Sequence, residues 1–431
     1  MLDIARRLEE AGYDTWCVGG AVRDALLGHT HLDWDLATAA TPDQVTAVFG
    51  RRRTIPVGIA FGTVGVLDGE GTLHEVTTFR HDVSTDGRHA VVAFGASIDE
   101  DLARRDFTIN AIAWHPGTRE MRDPFGGIAD LAAGVVRAVG APDERMREDR
   151  LRALRALRFA GRLGFTIDPA TWDAIVASAP YLTRLSAERV KQEIEKTLEQ
   201  VERPAATFRL WIESGALAVL VPRLVQGELA QLAVLDQLPR PTPRGRPYRK
   251  LLRLAAFFGV AGAKTAGAVM NDLRFSKADT AGVSTVVDRA DRLAPLIEEA
   301  AGSDATPSER AVRRWVATAG RLNVATVMRL LEARWGARRD GGAATAPPAS
   351  AVASLYRRMV ESAFRDPVEL ADLAVDGDDL RRAGIPTGPR LGKILHDLLE
   401  RVIDDPSLNS PGTLLAIARG LQDAGHPTSP R

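Results

Sequence analysis

One cysteine, Cys17, stands in 431 residues. No disulfide can close within the chain and no thiolate cage can hold zinc, so a secreted cystine scaffold and a zinc module are both excluded, and a reducing cytoplasm fits best. Excess charge of either sign is also missing. The 56 basic and 56 acidic residues cancel, which removes whole-molecule charge as an argument for a polyanionic partner and leaves only local patches. Lysine is scarce: Lys191, Lys196, Lys250, Lys264, Lys277 and Lys393 are the only six among the basic residues. Nearly all positive charge is therefore guanidinium, a bias that codon use explains more simply than a phosphate fork at every position. Long apolar runs are absent too. The longest, Leu254 to Ala263, is too short to span a bilayer, and the opening MLDIARRLEEAGYD mixes charges into a helical period with none of the apolar stretch a signal peptide needs. A soluble, non-exported protein with no membrane partner is expected. What remains is ordinary globular composition, 45% hydrophobic and 26% charged, in a chain long enough for roughly two to four domains.

The pattern changes near residue 135. Before it, strand and helix signals alternate; after it the period is almost wholly helical, rich in Leu, Ala and Arg. DTWCVGG reads as a buried strand entering a glycine turn, AVRDALLG as a helix closed by Gly28, HLDWDLA as a strand, and TPDQVTAVFG as a helix with a Thr cap. FGTVGVLDGEGTLHEVTTFR is two β-branched runs around a Gly/Asp turn, a hairpin. HDVSTDGRHAVVAFGAS, polar and glycine-containing, is expected to be a mobile loop. In the helical part, LPRPTPRGRPYRK (238–250) and DGGAATAPPAS (340–350) have linker composition.

Two features carry chemistry. Asp33 and Asp35 alternate with Leu32, Trp34 and Leu36 at period two, so both carboxylates leave one face of the strand. Such a pair suits a hard ion like Mg²⁺ that also holds phosphates, although a bare D-x-D is more often a solvated strand end. Upstream, Gly19 and Gly20 stand where strand turns into helix, and Arg23 is one turn in. Unobstructed backbone N–H groups there form a phosphate cradle. A cradle 13 to 16 residues before an acidic pair is what a nucleoside triphosphate needs for attack at its α-phosphate, and the joint pattern is far more specific than either part.

CVGGAVRDALLGHTHLDWDLATAATP resembles the signature of class II tRNA nucleotidyltransferases, the CCA-adding enzymes and their bacterial poly(A) polymerase relatives. RRDFTINAIAW (104–114), DPFGGIADLAAGVVRAVG (123–140), EDRLRALRALRFAGRLGF (148–165) and SAERVKQEIEKTL (186–198) follow in the order of the family's later blocks, and DGDDLRRAGIPTGPRLGKILHDLLERVIDDPSLN is similar to its C-terminal RNA-binding end. The resemblance implies an α+β nucleotidyltransferase head, a polymerase-β-like mixed sheet with helices, followed by an all-α neck, body and tail. The expected boundaries are head 1–135, neck 136–200, body 201–340 and tRNA-binding tail 351–431.

In the fourth block, Leu151, Leu154 and Leu157 make one stripe and Arg152, Arg155 and Arg158 the next, with Asp149 three residues before Arg152 and expected on its face. A carboxylate accepts from cytosine N4 or adenine N6, and a guanidinium donates to cytosine N3/O2 or adenine N1. Uracil and guanine present the opposite polarity, at about 1–3 kcal/mol per unsatisfied group. Taken without the family, the helix would read as a salt-bridged surface element. The resemblance implies that Asp149 and Arg152 act as an amino-acid template, that Gly20, Arg23, Arg105, Arg155 and Arg158 contact the nucleotide, and that Mg²⁺ sits on Asp33 and Asp35. Arg105 has its own rationale, offsetting charge on the leaving pyrophosphate. Glu75 is a candidate third carboxylate, with a salt bridge to Arg80 or a strand-edge role as alternatives, and stays outside the expected metal set. His29 and His31 are more simply exposed by a turn than metal-bound. Residues Arg240 to Arg253 and the helix with Lys191 and Lys196 are candidates for tracking RNA phosphates, against the default of a solvated face.

The expected activity is templateless addition of C and A to the tRNA 3′ end from CTP and ATP. Poly(A) polymerase is disfavoured because PVGIAFGTVGV replaces a basic segment typical of those relatives, and CC-only addition because the loop TTFRHDVSTDGRHAVVAFGASIDEDL is full length. A-only addition stays open, since Ser84 and His89-Ala90 replace an aromatic and an Arg-Pro common near D-G-R. A non-catalytic RNA-binding protein is disfavoured by the intact acidic pair. The sequence specifies no oligomeric state.

Overall fold

The computed structural model describes the chain except residues 31–32, 86–89, 96, 226–228, 240–246, 304, 344 and 424–431. It divides into two compact units, Met1–Pro222 and Arg223–Arg431.

The first unit opens with α1 (Leu2–Glu10), β1 (Thr15–Val18) and α2 (Gly20–Leu26), then β2 (Asp35–Thr38), α3 (Pro42–Phe49), β3 (Thr54–Gly58), β4 (Thr63–Leu67) and β5 (Leu73–Thr78). A hairpin of β6 (Arg80–Thr85) and β7 (Ala90–Phe94) follows, then α4 (Ile98–Ala103), β8 (Ala113–Trp114) and β9 (Met121–Arg122). Seven strands pair in the order β3-β4-β5-β2-β1-β8-β9. Only β2 and β5 run parallel; the sheet is mixed, as expected of the head. β1 is buried along its whole length, Cys17 included, and burial pushes that thiol up to about 12. Trp16, Val18 and Ala37 pack on one face with Phe79, Leu102 and Ala113. Thr41 caps α3 reciprocally with Gln44. Of the segment expected to be a mobile loop, residues 81–85 and 90–94 lie in the paired strands β6 and β7, and 86–89 and 96 lie outside the described residues; the polar residues obscured two short extended runs.

Glu9, Asp14 and His115 bring ligand atoms within 4.8 Å of one another, a spacing that suits a metal. The hydrogen bonds decide against it. His115 Nδ1 accepts from the backbone N–H of Gly117 (3.2 Å) and Thr118 (3.1 Å), so the neutral ring carries its proton on Nε2, which faces Glu9 at 3.4 Å and Asp14 at 3.7 Å. Glu9 also accepts from Thr15 N and Asp14 from Trp16 Nε1. With no imidazole lone pair left for an ion, the group is a clasp that ties α1 to β1 and β8.

The rest of the first unit contains α5 (Gly127–Ala133), β10 (Val135–Val136), α6 (Pro142–Glu148), α7 (Leu151–Leu163), β11 (Thr166–Ile167), α8 (Pro169–Ser178), α9 (Ala187–Gln200) and α10 (Pro204–Glu213). One difference matters for the site. Residues 148–165 are not one helix: Asp149 is extended (φ −148°, ψ 107°) between α6 and α7. It meets Arg152 because the Arg152 N–H donates to its carbonyl, 3.0 Å, and not by sharing a helical face.

Among its described residues the second unit's regular structure is helical throughout, with long elements at Lys277–Ala301, Val324–Asp340, Ala349–Arg365 and Pro389–Asp404. One helical stretch, Lys250–Asp272, has the length and composition of a membrane span, but a short 3₁₀ turn at Gly259–Ala261 interrupts it and Leu252, Leu254, Phe257 and Phe258 are buried inside the unit. It is core. Leu380, Ile394, Leu398, Val402 and Leu414 form a separate apolar cluster toward the C-terminus. Most of the proline-rich segment 238–250 lies outside the described residues.

Candidate active site

A cavity of about 550 Å³ opens in the first unit, lined by nine Arg and Lys side chains and three Asp. That balance selects an anionic ligand. Gly19, Gly20, Arg23, Asp35, Arg105, Asp149, Arg152, Arg155 and Arg158 all line it, so the strand acid and the acid–arginine pair more than a hundred residues later face one space.

At the cradle end, Gly19 has φ +76°, and a Cβ there would sit 2.9 Å from Arg105 Nη1. Only glycine provides both the turn and the room. Arg23, 2% exposed, donates to Asp24 Oδ1 (2.8 Å) and Asn110 Oδ1 (2.6 Å). Arg105 is fixed by Asp101 at 3.0 Å, and its Nε is buried without a hydrogen-bond partner among the described residues, an orphaned donor beside the cradle.

Asp35 opens β2, partly buried, and Asp33 stands exposed two residues earlier. Leu36 pairs with Val76 in the parallel β2–β5 ladder, which sets Asp35 beside Glu75. Burial, with the charges of Glu75 and then Asp33, pushes the Asp35 carboxyl up to about 6 against the pull of Arg105 and His74. A carboxylate that resists ionising beside two other acids is a donor for a divalent cation, whose charge reverses that penalty. The chemistry of Asp33 and Asp35 fits such an ion, and the strand register puts Glu75 on the same face as Asp35.

At the far end, Asp149 Oδ1 accepts from the Leu151 N–H (3.0 Å) and Oδ2 from Arg189 Nη2 (2.6 Å). Arg152 donates to Glu148, to the carbonyl of Arg145 (3.1 Å) and to that of Arg104 (2.9 Å). Both groups are held before any ligand arrives, and Arg152 keeps its Nε and one Nη2 hydrogen uncommitted among the described residues. Arg158 pairs with buried Glu193 at 2.6 Å. The guanidiniums of Arg23, Arg155 and Arg158 lie 5.1, 5.4 and 4.5 Å from the Phe159 ring centroid, so one buried ring separates three like charges.

Sequence reasoning did not single out Asp106 or Asn110 as site residues. Asn110 Nδ2 donates to Asp106 Oδ1 (2.9 Å) and Arg155 Nε to Asp106 Oδ2 (2.7 Å). With the Arg23–Asn110 bond this makes a continuous chain from α2 to α7. Burial alone would raise the Asp106 carboxyl; Arg155, Asn110 and Arg152 outweigh it and hold the pKa low. The i, i+4 spacing of Asp106 and Asn110 was the available signal. Arg104, for which Asp101 and Asp106 were both possible partners, takes Asp101 at 2.7 Å.

Comparison with known proteins follows the same lines. Residues 15–137 match the family described as Poly A polymerase head domain, and residues 164–226 that described as Probable RNA and SrmB- binding site of polymerase A. A CCA-adding enzyme of Lacticaseibacillus paracasei is 35% identical over 97% of this chain and 95% of its own length. One from Geobacillus thermodenitrificans is 49% identical over 242 residues, a match that spans 55% of this chain and 58% of that protein. The crystal structure of the Bacillus stearothermophilus CCA-adding enzyme in complex with CTP superposes with TM-score 0.76 at 32% identity, covering 98% of this chain and 97% of that one.

Proposed function

The chain belongs to the family of CCA-adding enzymes, a group of tRNA nucleotidyltransferases, and we propose that it adds C and A to the 3′ end of tRNA from CTP and ATP, releasing pyrophosphate. One observation carries this reading: the strand carboxylate of Asp35 and the Asp149–Arg152 edge line a single cationic cavity.

The nucleophile is the RNA 3′-hydroxyl. Gly19 and Gly20 N–H groups with Arg23 and Arg105 hold the triphosphate, and Arg105 faces charge as it builds on the leaving pyrophosphate. Asp33 and Asp35, with Glu75 beside them, are the residues that would hold Mg²⁺; when bound, the ion lowers the hydroxyl's pKa and offsets charge at the α-phosphate. Arg155 and Arg158, midway along α7, steady the bound nucleotide. At the base, the free lone pairs of Asp149 accept the exocyclic amine of C or A while Arg152 donates to the ring edge. U and G would set donor against donor and acceptor against acceptor. Because Arg189, Glu148 and two backbone carbonyls already orient the pair, selection depends on fixed polarity and not on a flexible fit. We place the reaction in the cytoplasm, where its nucleotide and tRNA substrates are found.

Three tRNAs ending before the first C, after one C, and after CC, each incubated with CTP, ATP or both, test the reading by product length. Full CCA addition on the first is expected. Arrest at CC reassigns the chain as CC-adding, inertness on the first with activity on the third makes it A-adding, and long A tails make it a poly(A) polymerase.

A further inference from the structure

The sheet that carries Asp35 continues beyond it as an uncovered apolar surface. Glu75 pairs with Gly65 and Gly65 with Ile55, so Asp35, Glu75, Gly65 and Ile55 form one row across β2, β5, β4 and β3 and point to one face. Leu73 alternates onto the same face as Glu75, whereas His74 and Val76 are buried on the other, where α3 packs. A Cβ on Gly65 would lie 2.8 Å from Leu73 Cδ1 and 2.9 Å from Val57 Cγ2. The glycine lets both side chains close over the sheet. Ile55, Val57 and Leu73 nonetheless remain 42%, 46% and 40% exposed, and the turn from β3 to β4 adds exposed Ile59 and Phe61. A shelf of this kind beside charged catalytic groups signals a ligand surface.

The reaction geometry says which ligand. In-line displacement places the attacking hydroxyl opposite the leaving pyrophosphate. The triphosphate groups Gly19, Gly20, Arg23 and Arg105 lie on the β1 side of Asp35, while β5, β4 and β3 lie on the other side of β2. A nucleoside whose 3′-hydroxyl reaches Asp33 and Asp35 in line must therefore rest over β5, β4 and β3. We propose that Val57, Leu73 and Ile55 form the platform on which the terminal, unpaired base of the tRNA acceptor strand packs during transfer. This rests on the functional reading above. The platform has no donors or acceptors, so it takes any base, and each addition changes the terminal base. Exposed Arg51 and Arg52 at the start of β3 supply charge for the phosphates that follow.

The double variant Val57→Ser/Leu73→Ser tests it. Both side chains are at the surface, and an unchanged melting temperature checks the fold. The expected result is a rise of about tenfold in KM for tRNA lacking CCA, with KM for CTP and kcat at saturating tRNA within about twofold of the parent. A tRNA with an abasic 3′-terminal nucleotide should lose a similar factor on the parent and nothing further on the variant, and 2-aminopurine at the tRNA 3′ end should be quenched less by the variant. Unchanged KM for tRNA, independent and multiplying losses, or a dimer of the chain that the substitutions dissolve would overturn the platform. If the parent transfers no nucleotide, the functional reading falls, and the 2-aminopurine signal still decides whether the shelf binds the RNA end.

Discussion

At the scale of single residues, the site stores electrostatic cost where it will be used. Asp35 has a folded-state pKa of about 6, above the usual carboxylate range, because it is partly buried beside Glu75 and Asp33. The folded chain then binds this proton more tightly than the unfolded chain. Between about pH 4 and 6 stability falls as pH rises, and above that the full cost of the charge is present, on the order of 3 kcal/mol. Asp35→Asn in chelator should therefore melt higher than the parent at pH 7 and lose that advantage near pH 4, read by thermal unfolding across pH. Adding a divalent cation should stabilise the parent and leave the variant almost unmoved. Equal melting temperatures at pH 7 in chelator would refute the crowding argument. Transfer by the variant should be abolished in both conditions. At the other end of the cavity, Arg152→Ala removes the donor that faces the base edge. Discrimination against UTP, measured as a ratio of kcat/KM, should fall by about tenfold or more, and an unchanged ratio would end the template reading.

At the scale of elements, α7 is the part that must not move, and its position depends on a glycine. A Cβ at Gly161 would lie 1.8 Å from Thr207 Oγ1 and 2.9 Å from Thr207 Cβ on α10, and Thr207 Oγ1 is buried with no hydrogen-bond partner among the described residues. The two helices meet backbone to side chain there. Gly161→Ala should destabilise the first unit by about 2 kcal/mol through overpacking and raise KM for CTP and ATP together, because Arg155, Arg158 and Arg162 ride on the displaced helix. Thr207→Ala added to it removes the closest atom and should restore part of both; no recovery would place the strain elsewhere. This contact was invisible in the sequence, where Gly161 is one small residue in a helical run. Local signals were readable: the glycine turn at Gly19, the Thr41 cap and the strand acid Asp35 rest on near neighbours, although the strand starts at Asp35 and leaves Asp33 exposed before it, outside the cavity lining. What stayed open or was missed rests on distant pairing or on a break without punctuation. Glu75 joins Asp35 only through the parallel β2–β5 ladder, and no glycine or proline marks the turn at Asp149 that separates α6 from α7.

At the scale of the whole molecule, a net charge of zero hides a segregated field. The cavity gathers nine cationic side chains against three carboxylates, while the balancing acids, such as Glu193 under Arg158 and Asp24 under Arg23 and Arg162, sit behind them as buried or half-buried partners. The partners orient the guanidiniums and leave the outward potential positive. A polyanion with many phosphates near such a surface displaces counterions as it binds, and log affinity falls linearly with log salt, with a slope set by the number of phosphates neutralised. Affinity for tRNA should therefore drop by about tenfold or more between about 50 and 200 mM salt. CTP touches only the cavity, so its slope should be shallower. Arg51→Ala/Arg52→Ala should reduce the tRNA slope by about the two contacts removed and leave the CTP slope unchanged, measured by fluorescence titration at four salt concentrations. Parallel lines for parent and variant would mean that the acceptor strand runs elsewhere. A tRNA affinity that ignores salt would mean that a neutral chain binds RNA by something other than this segregated charge.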